Sequence, residues 1–390
     1  MMPPAVAITG IGVVSAFGHG VEPFWRALVA GETGVAPVRR FAARAGGLGA
    51  EVPPLDARAW ATGPLGRRID RVSLLALAAA RLALADAGLA ADAVAGDRTG
   101  LALGSACGNF DETESFLDRL GARGAANPLT FPNLVFNAPL SYATIELGIT
   151  GPSAMLSAQE TSGEAAIAHG AALVADGRVD VCLAGGVDEL AAVLFEVLRE
   201  TGALGTEPPR PFDPRARGAV PGEGAALFVL EPLARATARG ARVYACIASH
   251  PGFAVPGPVH GWPTDPAPLA ARLAPLVADA DAIVAAACGV PARDGLEAAA
   301  LAAALRGRRP AVTAPRAALG EFGAAGALAV AAAALAVAEQ RVPPTVGVPG
   351  VAPHGLDVVR GEARACAIRV AVVDGIARGG GCRPIRLEAA

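Results

Sequence analysis

The side chains best suited to nucleophilic or metal chemistry in this 390-residue chain are six cysteines and five histidines. The cysteines are far apart, and none forms the Cys-x-x-Cys pair that structural zinc sites use. They are Cys107, Cys182, Cys246, Cys288, Cys366 and Cys382. Because separated thiols without a disulfide framework are typical of a reducing compartment, we expect a cytoplasmic protein without a metal site.

The histidines are also dispersed, at His19, His169, His250, His260 and His354. None stands beside a second candidate catalytic group, so the pattern favours surface or loop residues. A Gly-x-Gly at residues 10–12 follows a short apolar run, but no third glycine opens a helix after it. A dinucleotide fingerprint requires that glycine and an acidic residue about 20 positions later. No cofactor is therefore predicted.

The composition sets limits on the whole chain. Hydrophobic residues make up 53% and charged residues 18%, which excludes disorder and fibrous structure. Lys+Arg 33 against Asp+Glu 36 gives a net charge of -3, and no basic block is present, so nucleic acid is not an expected partner. The most apolar stretch, residues 323–338, is shorter than the roughly 20 residues that span a bilayer. It predicts a buried helix, and with no signal-peptide pattern at the first ten residues we expect no membrane association.

Strand and helix patterns alternate along the chain, which favours an α/β fold. The series begins with an apolar strand at residues 5–12 and restarts near residue 242. Predicted strands are 5–12, 99–103, 179–185, 243–247, 281–287 and 368–373, and predicted helices are 72–87, 164–175, 269–278, 297–305 and 324–339. The repetition predicts two α/β halves in tandem, residues 1–240 and 241–390.

Five segments, in order, carry a resemblance to a known family. They are 8–15 (ITGIGVVS), 151–153 (GPS) with 161–163 (TSG), 183–189 (LAGGVDE), 210–213 (RPFD) with 222–226 (GEGAA), and 323–327 (GAAGA). This set resembles the ketosynthase branch of the thiolase superfamily. The resemblance implies a five-layered α-β-α-β-α fold made of two similar halves, and an obligate dimer.

The resemblance also implies a chemistry, the decarboxylative Claisen condensation, in which a cysteine thiol carries the acyl chain. Counting from Gly151 with residues 161–163 in register, Glu160 occupies the cysteine position. A carboxylate there is not expected to serve as an acyl carrier. The sequence therefore predicts that the nucleophile is absent.

Two histidines of the family, which hold the malonyl carbonyl and the enolate, are expected at fixed positions. Cys288 occupies the first. At the second, an ungapped comparison gives Gly320, and a one-residue gap gives Glu321. Neither alternative restores a pair of donors. In the C-terminal loop, Arg378 or Gly379, depending on register, takes the place of a gating phenylalanine.

A chain that loses these positions but keeps its scaffold motifs resembles the chain length factors of bacterial type II polyketide synthases. Residues 286–294 and 312–316 look like the chain-length-factor versions of the two histidine loops. The resemblance implies a catalytically silent subunit in a heterodimer with an active ketosynthase, served by an acyl carrier protein. Residues 131–152 also resemble subunits of reducing systems, which favours a linear polyene product.

In chain length factors, side chains on one helix block the end of the partner's acyl tunnel, and the matching segment here is 108–117. The blocking positions fall on Phe110, Thr113 and Leu117, whose i, i+3, i+7 spacing puts them on one helical face. The alternative is an ordinary core stripe. Farther along, Phe131, Leu134 and Phe136 are expected to pack at the dimer interface; without the resemblance this segment would be only a hydrophobic loop.

Several interpretations stay open at this level. A cation such as Arg316 could hold Glu160, and Cys288 is expected to be a small buried residue of low reactivity. Two other functions remain possible for the same sequence. The chain could be a divergent decarboxylase or acyltransferase that uses Glu160, or a stand-alone acyl-thioester-binding protein.

Overall fold

The computed structural model describes residues 5–41, 47–62, 66, 68–348, 350 and 353–390. The strands in this part of the chain are β1 (Val6–Ser15), β2 (Gly18–His19), β3 (Ala36–Pro37), β4 (Leu48–Gly49), β5 (Thr99–Gly104), β6 (Ser153–Leu156), β7 (Val181–Asp188), β8 (Gly224–Pro232), β9 (Ala245–Ser249), β10 (Phe253–Ala254), β11 (Ala282–Val284), β12 (Ala311–Thr313), β13 (Arg341–Val342), β14 (Asp357–Val358), β15 (Arg364–Ala365), β16 (Val370–Val373), β17 (Gly381–Cys382) and β18 (Ile385–Glu388). The helices are α1 (Val21–Ala30), α2 (Ala57–Trp60), α3 (Arg71–Asp86), α4 (Phe110–Arg123), α5 (Ala138–Leu147), α6 (Ser162–Ala175), α7 (Ala192–Glu200), α8 (Leu233–Ala238), α9 (Ala267–Val277), α10 (Pro291–Leu305), α11 (Arg316–Leu319) and α12 (Ala325–Glu339).

The strand order shows an internal duplication. The first half has the order β1-β8-β7-β5-β6, and the second half has β9-β18-β16-β11-β12, extended by β14. Along each path the first two pairings are antiparallel and the next two are parallel. The halves join where β1 pairs antiparallel with β9. The predicted two-halved thiolase-like fold is thereby confirmed.

The main strands are apolar on both faces, as expected for a sheet covered by helices on both sides. In β8, Ala226, Phe228 and Leu230 belong to the central core cluster. The alternate residues Ala225, Leu227 and Val229 belong to the outer cluster with α3. Successive side chains of a strand point to opposite faces, and here both faces are buried. The strands therefore appear in the sequence as continuous hydrophobic runs.

Helices form three layers around the two halves of the sheet. Helices α6 and α12 lie between the halves, α3 and α5 cover the first half, and α9 and α10 cover the second. The stretch predicted as a buried helix is α12, and the two central helices approach closely because Gly163 has no side chain. A Cβ there would lie 2.9 Å from the backbone nitrogen of Ala327. Among the described residues, no helix has the length and apolar character needed to cross a bilayer.

The boundaries differ most from the prediction around β11 and α10. The strand ends at Val284, three residues earlier than predicted. The Ala285 amide still donates to Thr313 of β12, but the amides of Ala286, Cys288 and Gly289 donate to carboxylates of α10 instead of to a neighbouring strand. The Ala286 amide donates to Glu297 at 2.6 Å. Helix α10 begins at Pro291 and not at Glu297, since proline at the first helical position suits a helix start.

Candidate functional site

The carboxylate at the predicted nucleophile position stands on a tight turn between β6 and α6. Gln159 has a left-handed backbone (φ 53°), which is uncommon for a residue other than glycine. The turn is held by the Ser162 hydroxyl, which donates to the Gln159 carbonyl at 2.7 Å and accepts from the Ala158 amide at 3.0 Å. Glu160 follows and is buried. The sequence thus folds into a rigid elbow that presents Glu160.

Both carboxylate oxygens of Glu160 are engaged by Arg378. The Arg378 Nε donates to Oε1 at 2.6 Å, and the Arg378 backbone amide donates to Oε2 at 3.1 Å. The prediction that Arg316 holds this carboxylate is wrong, because Arg316 reaches only the backbone carbonyl of Glu160, at 3.5 Å. Arg378 lies in the C-terminal loop, where it or Gly379 was predicted to replace a gating phenylalanine, and its side chain is the partner of the carboxylate at the predicted nucleophile position.

The two alternatives for the second histidine position have different surroundings. Gly320 has φ +80°, and a Cβ there would lie 2.7 Å from the Gly222 Cα, so only glycine fits. The Glu321 side chain lines the cavity described below and accepts from Arg293 at 2.9 Å and from Arg316 at 3.3 Å. The side chain that faces the site is therefore that of Glu321.

A second carboxylate, Glu164 on α6, completes a buried charged cluster with Arg293, Arg316 and Glu321. Arg316 Nη2 lies 2.8 Å from Glu164 Oε1, and both side chains are fully buried. Burial raises the pKa of Glu164 to about 7, although Arg316 opposes the shift. Burial alone would also raise the pKa of Glu321, but Arg293 and Arg316 outweigh this effect, so the pKa of Glu321 is lowered. The charged cluster therefore holds at least one carboxylate that stays ionised.

Cys288, at the predicted first histidine position, is buried next to the charged cluster. The Arg293 guanidinium contacts its Sγ, and its amide donates to Asp294 at 3.2 Å. The sequence did not indicate this cation, because Arg293 reaches back from the first turn of α10. Burial nevertheless raises the thiol pKa well above its ordinary value, more than Arg293 lowers it. Cys288 is therefore a thiol, not a thiolate, near pH 7.

A cavity of about 650 Å³ lies above the elbow. Its apolar wall includes Leu194 and Leu198 of α7, Trp262 and Phe322, and its charged and histidine side chains are Glu160, Arg217, His260, Arg293, Glu321 and Arg378. His260 was predicted to be an ordinary loop residue, and nothing in its neighbouring sequence places it here. The loop around it reaches the cavity through tertiary contacts, such as the Gly379 amide donating to the Gly261 carbonyl at 2.9 Å.

Two acidic residues of the scaffold motifs hold loops around the site and do not face the cavity. Asp188, at the end of β7, accepts from the Ser105 hydroxyl at 2.5 Å and from the amides of Cys107 at 3.0 Å and Ala324 at 2.8 Å. Burial raises the pKa of Asp188 to about 6, although these hydrogen bonds act to lower it. Glu223 is fully buried and pairs with Arg71. These two acidic residues are thus structural supports of loops around the site.

The predicted tunnel residues Phe110, Thr113 and Leu117 lie on one face of α4. Phe110 is 37% exposed and Leu117 is 57% exposed. The Thr113 hydroxyl donates to the Asn109 carbonyl at 2.9 Å, so it needs no other partner. No residue of α4 is buried. The alternative interpretation, an ordinary core stripe, therefore does not hold for this chain.

The predicted interface residues lie on the segment that follows α4 and packs against it. Phe131 is 58% exposed and meets Phe116 edge-on at 6.0 Å between ring centroids. Leu134 is half-buried. Phe136 lies over Gly108, where a Cβ would be 2.9 Å from its ring. We call the exposed apolar residues of α4 and this segment the α4 apolar face: Phe110, Leu117, Leu120, Leu129, Phe131, Val135 and Phe136.

The chain matches two family profiles in order. Residues 4–236 match the beta-ketoacyl synthase N-terminal domain, and residues 270–349 match the C-terminal domain. Among the described residues, no group of three or more His, Cys, Asp or Glu side chains is arranged to hold a metal ion.

Relatives and solved structures agree with these profiles. The tetracenomycin polyketide synthase ketoacyl synthase beta subunit of Streptomyces glaucescens is 35% identical over 405 residues, covering 97% of this chain and 96% of that protein. The actinorhodin polyketide putative beta-ketoacyl synthase 2 of Streptomyces coelicolor is 33% identical, with 96% of each covered. The solved ishigamide ketosynthase/chain length factor superposes with a TM-score of 0.92 at 28% identity over both full chains. The chain therefore belongs to the beta-ketoacyl synthase family, and the predicted resemblance to ketosynthase beta subunits is confirmed.

Proposed function

We propose that this chain is a catalytically silent subunit that pairs with an active ketosynthase and sets the length of a polyketide or polyene by shaping the end of the acyl tunnel. The observation that carries the proposal is the elbow. Glu160 stands where a thiol would be needed, and Arg378 occupies both of its carboxylate oxygens. The relatives named as a ketosynthase beta subunit and as a ketosynthase/chain length factor support the same role.

The groups around the elbow argue against condensation by this chain. A carboxylate that forms an ion pair is a poor nucleophile, and an acyl group on it would be an anhydride. At the histidine positions the chain has the protonated, buried Cys288 and the ionised Glu321. A negative charge near a developing enolate opposes it, whereas the loss of a single oxyanion donor already costs about 100- to 1000-fold in rate.

The α4 apolar face supports pairing. Monomeric proteins rarely expose a contiguous apolar patch of this kind unless another molecule covers it. Here the exposed side chains come from one helix and from the segment that packs against it. An active ketosynthase is the occupant that we assign to this face, and the acyl carrier protein would deliver the growing chain to the pair.

The tunnel residues would limit length by their size. Phe110, Thr113 and Leu117 share one face of α4 and project from it without being packed in the chain's own core. A chain growing in the partner would meet these side chains at the interface. Truncating one would leave space for further two-carbon units.

The test is co-expression with the ketosynthase encoded beside this chain, followed by product analysis by mass spectrometry. Phe110→Ala and Leu117→Ala are expected to give longer products from an intact complex. Arg119→Ala, an exposed substitution on the opposite side of α4, is the matched control and should leave product length unchanged. Unchanged products from both tunnel variants would remove these residues as gatekeepers, and failure to form a complex would contradict the proposal as a whole.

Silence is tested separately with malonyl-carrier protein. The purified chain should release no carbon dioxide above the buffer rate, whereas the co-expressed complex should be active. Turnover by the chain alone that is lost in Glu160→Gln would favour the divergent decarboxylase or acyltransferase instead. A homodimer that binds acyl thioesters and forms no complex would favour the stand-alone binding protein.

A further inference from the structure

The Arg378 guanidinium is only partly used by its ion pair. Its Nε and backbone amide bind Glu160, whereas Nη1 and Nη2 have no hydrogen-bond partner among the described residues. The side chain is 47% exposed and lines the cavity. Because the guanidinium is a planar fork, fixing Nε leaves the two terminal nitrogens available for a second, bidentate partner.

Two further cations, Arg217 and Arg293, line the same cavity. Arg217 is exposed and makes no ion pair or hydrogen bond within the described part of the chain. Arg293 is fully buried and already paired, because its terminal nitrogens bind Glu321 and its Nε lies 3.8 Å from Asp294 Oδ1. Its guanidinium lies 5.2 Å from the centre of the Trp262 ring. With Glu160 and Glu321 paired to arginines, Arg217 leaves the lining with a net positive charge.

The remaining wall of the cavity is apolar. Leu194 and Leu198 project from α7, and Trp262 and Phe322 lie on other elements of the lining. A volume of about 650 Å³ is within the range of small-molecule sites, roughly 300 to 1,000 Å³. Cationic groups next to an apolar wall suit an amphiphilic anion better than a simple salt ion or a neutral lipid.

We propose that this cavity is a binding site for a carboxylate that carries an apolar chain. The carboxylate is bound by the free terminal nitrogens of Arg378 and by Arg217, and the apolar chain lies along Leu194, Leu198 and Trp262. Glu160 is a positioning residue that holds Arg378 in place and does not touch the ligand. The inference goes beyond the proposed function and does not depend on pairing with a ketosynthase.

The test is isothermal titration calorimetry on the full chain, alone and in the co-expressed complex, with sodium octanoate as the probe. We expect saturable one-site binding of octanoate. Octan-1-ol, which lacks the carboxylate, and acetate, which lacks the apolar chain, should each bind at least about tenfold more weakly. Arg217→Ala and Arg378→Ala should each lower octanoate affinity about tenfold or more. Arg26→Ala, an exposed arginine on α1 outside the cavity, is the matched control and should not change it.

The variant Glu160→Gln should raise the affinity for octanoate instead of lowering it. Glutamine keeps an acceptor for Arg378 but removes the competing negative charge, so octanoate should bind several-fold more tightly. Three results would each overturn the inference. They are no saturable binding of octanoate up to about 10 mM, equal affinity for octan-1-ol and octanoate, and arginine variants that bind octanoate like wild type. Product length in the complex reports on the proposed function independently, so the two failures can be distinguished.

Discussion

The charged cluster and the α4 apolar face are opposites in the same molecule. In the charged cluster, two arginines and two carboxylates are buried in the middle of the fold. On the α4 apolar face, aromatic and aliphatic side chains are exposed at the surface. Each region departs from the rule that charges lie outside and apolar groups inside.

The two departures are resolved in different ways. Arg293 and Arg316 have their partners within the chain, on α6 and beside α11, so the charged cluster requires no other molecule. Phe110, Leu117 and Phe131, in contrast, remain 37%, 57% and 58% exposed in the described part of the chain. The charged cluster is therefore self-contained, whereas the α4 apolar face presents a surface that a partner could cover.

The largest effect is expected from breaking the charged cluster. Arg316→Ala leaves the fully buried Glu164 without its cation and Glu321 with Arg293 alone, and should lower the free energy of unfolding by about 3 to 5 kcal/mol. Urea unfolding followed by circular dichroism measures it. Arg98→Ala, at an exposed pair with Asp180, is the control and should keep the wild-type midpoint. A double variant Arg316→Met, Glu164→Gln that is as unstable as Arg316→Ala would argue against the uncompensated charge as the cause.

A charge on the α4 apolar face should act on assembly and not on folding. Phe131→Glu is expected to change the free energy of unfolding of the chain by less than about 0.5 kcal/mol. It should weaken the complex with the ketosynthase by more than about 2 kcal/mol, because a charge would be desolvated without a partner. Size-exclusion chromatography of co-expressed proteins is the readout. Ala278→Glu, exposed beyond α9, should leave assembly intact, and a stable Phe131→Glu complex would show that this face is not the interface.

The charged cluster should also show itself in the pH dependence of stability. The pKa of Glu164 is raised from 4.5 to about 7, so between these values the folded chain binds more protons than the unfolded chain. The stabilisation that Glu164 gives the folded chain is therefore complete below about pH 4.5 and is lost as the pH rises to about 7. The groups that act on it are Arg316, Glu321 and Asp374. Thermal unfolding of Glu164→Gln should lose less stability over this pH interval than wild type; identical slopes would refute the assignment.

The smallest effect is expected at Cys288, whose thiol is buried and protonated. Wild type and Cys288→Ala should show the same number of thiols that react with Ellman's reagent in the native state. In urea they should differ by one. A native-state difference would mean that Arg293 activates the thiol after all.

The architecture could be predicted from the sequence because its signals are local and repeated. Continuous apolar runs mark β1, β7 and β16, and the Ala-rich stretch marks α12. The motif positions place Glu160 on its elbow by counting alone. The residue types at the former histidine positions also follow from counting, although the choice between Gly320 and Glu321 needed the backbone conformation.

The partners of these residues could not be predicted in the same way. Arg378 is 218 positions from Glu160, and a register ambiguity in its glycine-rich loop hid the contact. Arg316 was the expected partner, but Glu164 and Glu321 compete for it at shorter distances. His260 and Arg217 reach the cavity on loops whose paths depend on long-range packing. Ion pairs between distant loops leave no periodic signal in a single sequence.

Gly326, in the first turn of α12, limits which substitutions can be accepted during evolution. A Cβ at this position would lie 1.9 Å from the Glu164 carboxyl carbon, so the glycine and the glutamate occupy one space. The two positions are epistatic: alanine at 326 becomes acceptable only after Glu164 has been shortened, and Glu164 could arise only on a lineage that already had the glycine. Related chains that have a side chain at position 326 should therefore have a residue shorter than glutamate at position 164, whereas glycine at position 326 permits either.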